Sequence, residues 1–292
     1  MNSRRWTVAR LCASVMLAGG VLQFAQQLPN QPQLGFGTSI TGAFEGWFTN
    51  ADGSHSFLVG YYNRNQAEEM DIPIGPNNRI EPGGPDRGQP THFLTGRQWG
   101  MFIVTVPKDF TPQQRLTWTI VANGQPTTIP LTLNTDYEID PFDEVAVHNT
   151  PPALGFEEKG PKTQGPLAMV AKAVTRTVSV SSPLPLTLWA TDDAKYTSGS
   201  NEVRKNPGPA VKLTWTKFRG PGKVTFDSAQ PEMEKLQGED AAFFGKATTT
   251  VRFDQPGEYL VHVTANDYSG VGGGGGFVCC WSTALVKVSV TP

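Results

Sequence analysis

Cysteine and histidine are almost absent from this sequence, at 3 and 4 of its 292 residues. The histidines, His55, His92, His148 and His262, are scattered with no paired metal spacing. No G-x-S-x-G, H-E-x-x-H or EF-hand loop occurs, so no motif names a reaction. Charged residues make up only 17% of the chain and form no basic cluster. That argues against nucleic acid as a partner. No apolar run reaches the roughly 20 residues of a spanning helix, and no long segment combines helical periodicity with caps. Glycine and proline are plentiful, at 31 and 24 residues, as in a loop-rich all-β protein.

Residues 1–25 read as a secretory signal peptide. Arg4, Arg5 and Arg10 form a positive start, and Leu11 to Ala25 form a short apolar run. Cys12 is not a lipobox cysteine, because Ala9-Arg10-Leu11 precede it. Without the three leader arginines, 21 basic side chains face 26 acidic ones. The expectation is a secreted or periplasmic protein with no membrane span after cleavage. Roughly 265 residues then remain, enough for two cores of about 100 residues each.

Alternation of apolar residues supplies the fold class. It runs through Phe57, Val59 and Tyr61, through Phe102, Val104 and Val106, and through Leu116, Trp118 and Ile120. It returns at Val211, Leu213 and Trp215, at Val251 and Phe253, and at Tyr259, Val261, Val263 and Ala265. Period-two alternation predicts strands with one buried and one wet face. Asn123-Gly124 between two such runs predicts a tight hairpin. Pro126 and Pro130 cannot donate ladder hydrogen bonds, which places the strand after that turn at a sheet edge. The reading is all-β, with two β-sandwich (immunoglobulin-like) modules at 35–134 and 167–292. An acidic connector at 135–166 joins them, carrying Pro151-Pro152 and Gly160-Pro161 and expected to be solvated.

The second module carries Trp215, Gly220-Pro221-Gly222, Val224-Thr225-Phe226 and Pro256-Gly257-Glu258-Tyr259. The pattern W-x-x-x-x-GPG-x-V-x-F followed by F-x-x-PG-x-Y-x-V-x-V-x-A-x-D resembles the PKD-like branch of immunoglobulin-like domains. The resemblance covers about Pro185 to Val290 and implies a fold rather than an activity, since such domains serve as spacers, adhesion modules and accessory domains. The insert Tyr268 to Phe277 departs from the pattern. The first module, with Gly75-Pro76-Asn77-Asn78 and Glu81-Pro82-Gly83-Gly84-Pro85, resembles uncharacterised exported bacterial proteins.

Three places are candidates for function. The first is the proline-stiffened polar stretch 63–97, where Arg64, Arg79, Glu81, Asp86, Arg87 and His92 lie between strands, flanked by Tyr61, Tyr62 and Trp99. It reads either as a binding surface whose aromatics stack on a sugar or peptide, or as a crossover pinned by its own ion pairs. The second is a set of strand-end carboxylates, Asp192, Asp193 and Asp267, which either cap turns or converge on Ca²⁺, a cation that takes oxygen ligands. The third is the adjacent pair Cys279-Cys280, either two thiols on opposite strand faces or a vicinal disulfide. Five glycines at 272–276 precede it. They lack the Lys-Ser/Thr of a phosphate loop and read as a flexible connection. No cofactor other than Ca²⁺ is indicated.

The resulting expectation is an exported binding or spacer protein of the cell envelope, not an enzyme, whose partner is a glycan or another exported protein. The alternative is a secreted enzyme, or an accessory domain of one, with its site in the 63–97 stretch.

Overall fold

The computed structural model describes residues 34–166, 173–196, 208–273 and 278–292. The expected signal peptide lies outside these residues. Eight strands come first: β1 (Ile40–Thr49), β2 (His55–Asn63), β3 (Met70–Asp71), β4 (Asn78–Glu81), β5 (His92–Phe93), β6 (Gly96–Val106), β7 (Leu116–Ala122) and β8 (Gln125–Leu131). After a 3₁₀ turn at Thr135–Tyr137 come β9 (Ala153–Gly155), β10 (Thr163–Gln164), β11 (Val174–Ser179), β12 (Leu184–Asp192) and β13 (Lys212–Arg219). The chain then forms β14 (Val224–Phe226), β15 (Glu234–Lys235), β16 (Phe243–Phe253), β17 (Gly257–Asn266) and β18 (Trp281–Thr291). Among the described residues there is no α-helix, and none is long and apolar enough to cross a membrane.

The protein is all-β. In the first half, sheets β1-β2-β6 and β4-β7-β8 share one core, with the small β3-β5 ladder beside them. Phe57, Val59, Tyr61, Phe102 and Val104 enter it from one sheet, and Ile80, Trp118 and Ile120 from the other. Asn123 and Gly124 both have positive φ, at 51° and 72°, and join β7 to β8 as the Asn-Gly pair predicts. Strand β8, with its two prolines, is the terminal strand of its sheet.

In the second half, sheet β10-β9-β12-β16-β14, with β15 also on β16, packs against β11-β18-β17-β13. The glycine motif has a packing cause here. A Cβ on Gly220, whose φ is +142°, would sit 2.1 Å from the Tyr259 ring. The Tyr259 hydroxyl accepts from the Gly222 N–H at 3.0 Å and donates to the Gln255 carbonyl at 2.9 Å.

Two expectations meet a different arrangement. Part of the 135–166 segment is structural: β9 pairs with β12, β10 pairs with β9, and Leu154, Asn149 and Glu144 are buried. The wet face expected for β17 is also buried. Tyr259, Val261 and Val263 face the second core, while Leu260 and Leu285 from the opposite face join the first. A bulge between Lys217 and Arg219 interrupts the alternation of β13 and sends Phe218 into that same first core. The sheet is therefore covered on both sides, and residues 33–292 form one compact unit.

Candidate functional site

The 63–97 stretch is the crossover that makes this junction. Asp86 accepts two hydrogen bonds from the Arg219 guanidinium, at 3.0 and 2.9 Å, while Arg219 also reaches the Gln89 carbonyl. Asp71 receives Lys217 at 2.9 Å and His92 at 3.0 Å, and His92 meets Glu69 at 3.3 Å on its other nitrogen. Arg79 pairs with Glu81 at 2.8 Å, and Arg87 donates to the Pro82 carbonyl at 2.7 Å. The Arg219 bonds hold the Asp86 carboxyl below its ordinary range. Burial would raise Asp71, but its bonds from His92 and Lys217 outweigh that, and its carboxyl also titrates low.

The aromatics do not form a free platform. Tyr61 is fully buried, and its hydroxyl accepts from the Leu94 N–H at 2.8 Å. Burial pushes that hydroxyl well above its usual pKa. Arg64 lies over the Tyr62 ring at 5.2 Å and Arg97 over Trp99 at 3.9 Å. The backbone of Gly272 presses on Trp99, since a Cβ there would come within 2.7 Å of the indole. Beneath Arg97 lies a carboxylate that sequence reasoning missed, Glu45. Its side chain is 3% exposed, and it accepts from Arg97 at 2.7 Å and from the Gly100 N–H at 2.8 Å. Burial outweighs these partners and lifts it to about 7. Gly60 makes room for it, since a Cβ there would fall 2.2 Å from Glu45 Oε1.

The more open chemistry lies at the far end of the second sandwich. A groove of about 840 Å³ runs between the start of β13 (Val211 to Thr214), the segment Gln230 to Met233, and the turn Asn266 to Val271. Tyr196 and Tyr268 stand at its side, stacked with ring centroids 4.4 Å apart and 4° between planes. Lys212, Gln230, Glu232 and Ser269 supply polar groups along it. Of the residues along the groove, sequence reasoning selected Asp267 and none of Tyr196, Lys212, Gln230, Glu232, Tyr268 and Ser269. Its nearest signal was the departure from the family pattern that begins at Tyr268.

Directly beside the groove the strand-end carboxylates come together. Asp193 accepts from the N–H and hydroxyl of Thr150, at 3.0 and 3.1 Å, and Lys195 approaches it at 3.8 Å. Asp267 accepts from Ser269 and, at 2.7 Å, from the Asn149 side-chain amide. Asp192 accepts from the Ala194 N–H at 2.8 Å, and its other oxygen, Oδ1, is buried without a partner. Burial, helped by the charges of Asp267 and Asp193, lifts Asp192 to about 8. Burial also raises Asp267, in spite of its hydrogen bonds. Among the described residues no three His, Cys, Asp or Glu side chains are grouped to hold a metal by themselves. Any cation here would need amide oxygens as well.

Cys279 and Cys280 are joined as a vicinal disulfide, with S–S 1.98 Å and Cα–Cα 3.3 Å across a cis peptide. Both are buried, and their sulfurs lie 3.9 and 3.2 Å from the Asn149 carbonyl oxygen. One residue, Asn149, thus touches the disulfide through its backbone and Asp267 through its side chain.

No family model matches the chain, and no curated protein matches it in sequence. Among solved structures it is similar to the D00-D0 domain of intimin, at 9% identity and TM-score 0.23, over 85% of this chain and 99% of that one. It is also similar to a protein of unknown function from Porphyromonas gingivalis W83, at 8% identity and TM-score 0.22, over 86% of this chain and all of that one.

Proposed function

We propose that the protein is an exported, non-enzymatic binding module of the cell envelope that seats an oligosaccharide in the groove at the end of its second sandwich. The observation that carries this reading is the groove itself. It is an open concavity of about 840 Å³ on a rigid sheet frame, with a stacked tyrosine pair beside several hydrogen-bonding side chains. Sugars present apolar ring faces edged by hydroxyls, and a site with aromatic rings and a few placed polar groups matches both. The N-terminal run of arginines followed by an apolar segment supports export. The 63–97 stretch is a poorer seat, because Arg79 and Glu81 are occupied with each other, and Asp71 and Asp86 with β13.

A thermal-shift screen against soluble cell-wall and plant glycans tests the reading. A glycan at about 100 times its dissociation constant should stabilise the protein by about 2.7 kcal/mol. Replacing Tyr268 by Ala should weaken that glycan at least about tenfold. A hit that Tyr268→Ala leaves unchanged would put the ligand elsewhere. A flat screen would remove the glycan and leave a protein partner or a spacer role.

A further inference from the structure

We propose that the strand-end cluster beside the groove is a Ca²⁺ site, held by Asp192 and Asp267 together with the side-chain oxygen of Asn149. The acidic residues alone would not support this, since carboxylates at strand ends often only cap turns, and each of these does accept a backbone N–H. The case rests on what capping leaves over. Asn149 is fully buried, and its Nδ2 is committed to Asp267 Oδ2 at 2.7 Å, yet its Oδ1 has no partner. Asp192 is 5% exposed and its Oδ1 has none either. Asn266, immediately before Asp267 and 6% exposed, leaves a third buried oxygen unmatched. Buried acceptors without donors are rare in folded proteins, and such groups are satisfied by water or by a cation.

The charge balance favours the cation. Among the described residues no basic side chain pairs with Asp192 or Asp267, and the Lys195 ammonium goes to Asp193 and to the His148 carbonyl. Two buried carboxylates with no counter-charge among the described residues are costly to keep ionised. A divalent ion would neutralise them.

The donors also select the ion. All are oxygens, from carboxylates and amides, a set that suits Ca²⁺ and does not suit zinc or copper. Neither sulfur of the Cys279–Cys280 disulfide is a thiolate, and the His148 side chain is 75% exposed and turned to Asp143. Ca²⁺ tolerates an irregular shell of six to eight oxygens, whereas Mg²⁺ demands a near-octahedral one. The ligands come from three separated parts of the chain: the 142–150 loop, the end of β12 and the end of β17. Binding would tie the segment before β9 to the turn that walls the groove.

Asp267 also borders the groove, so the test is made with the groove empty and Ca²⁺ alone as the probe. Titration calorimetry and melting of the purified protein, stripped with EDTA, should show saturable Ca²⁺ binding. The melting midpoint should rise by about 3–10 °C at about 10 mM Ca²⁺, as for a site with Kd of about 0.1–1 mM. Asp192→Asn keeps the shape and removes one charge, and it should abolish both signals. Asp227→Asn, at an exposed ion pair elsewhere, should leave them unchanged. If Asp267→Asn failed to fold because it loosens the Ser269 turn, Asp192→Asn would still decide. No Ca²⁺ heat and no shift in the parent protein, or an equal shift with Mg²⁺ that survives Asp192→Asn, would overturn the proposal.

Discussion

In the 63–97 stretch Arg79, Glu81, Asp71, Asp86 and Arg87 sit against opposite charges or carbonyl oxygens, whereas at the end of the second sandwich no cation among the described residues pairs with Asp192 or Asp267. The first region has the denser and more conspicuous run of charge. Its groups are nevertheless committed: Asp86 to Arg219, Asp71 to Lys217 and His92, Arg79 to Glu81. The second region has fewer charges and several buried oxygens left over. Partnered charge holds a structure together, while unpartnered buried polarity marks a place where something else can bind.

His262 gives the largest test of this distinction, because it is a buried polar group with no hydrogen-bond partner on either ring nitrogen. The ring stacks on Phe218 at 5.5 Å. Burial lowers its pKa from 6.5 to about 3. The folded protein therefore keeps it neutral where the unfolded chain takes up a proton. Its contribution is fully present above pH 6.5 and is lost as pH falls toward 3, by about 1.4 kcal/mol per unit. Asp192 and Glu45, raised to about 8 and 7, act with the opposite sign. The readout is therefore the difference between the parent protein and His262→Leu. In urea melts from pH 7 to pH 4 that difference should shift by about 3 kcal/mol in favour of the variant on acidification. A constant difference would mean that the imidazole finds a partner in solution.

Arg219→Ala should be next in size. It removes a two-point bond to Asp86 and the bonds to the Gln89 carbonyl, and should cost about 1–3 kcal/mol in denaturant unfolding. A loss below a few tenths of a kcal/mol would mean that the crossover is not held by its ion pairs, and would return the 63–97 stretch to the list of binding surfaces. Arg79→Ala should matter least. Its partner Glu81 is 58% exposed, and such pairs contribute about 0–1 kcal/mol, less in high salt. A large loss there would show that exposed pairs in this stretch act as a network.

The site was legible in uneven degrees. Asp192, Asp193 and Asp267 could be chosen because each follows an apolar strand, and strand ends on one side of a sandwich lie close together. Asn149 could not, because it sits 118 residues from Asp267 in a segment that reads as a linker. Tyr61 was a natural choice for a binding surface by its neighbours, yet it alternates with Phe57 and Val59 and so belongs to the core. Glu45 gave no local signal, since only the fold brings Arg97 and the Gly100 N–H to it.

The sequence by itself determined the long alternating strands, the Asn123-Gly124 hairpin and the edge position of β8. Each of these follows from period-two alternation or from backbone constraints acting within a few residues. Tertiary structure alone decided that β17 would be buried on both faces, that the acidic segment would yield β9 and β10, and which charges would be left unpaired. Those outcomes depend on contacts between residues far apart in the chain, and alternation cannot report what covers the outer face of a strand.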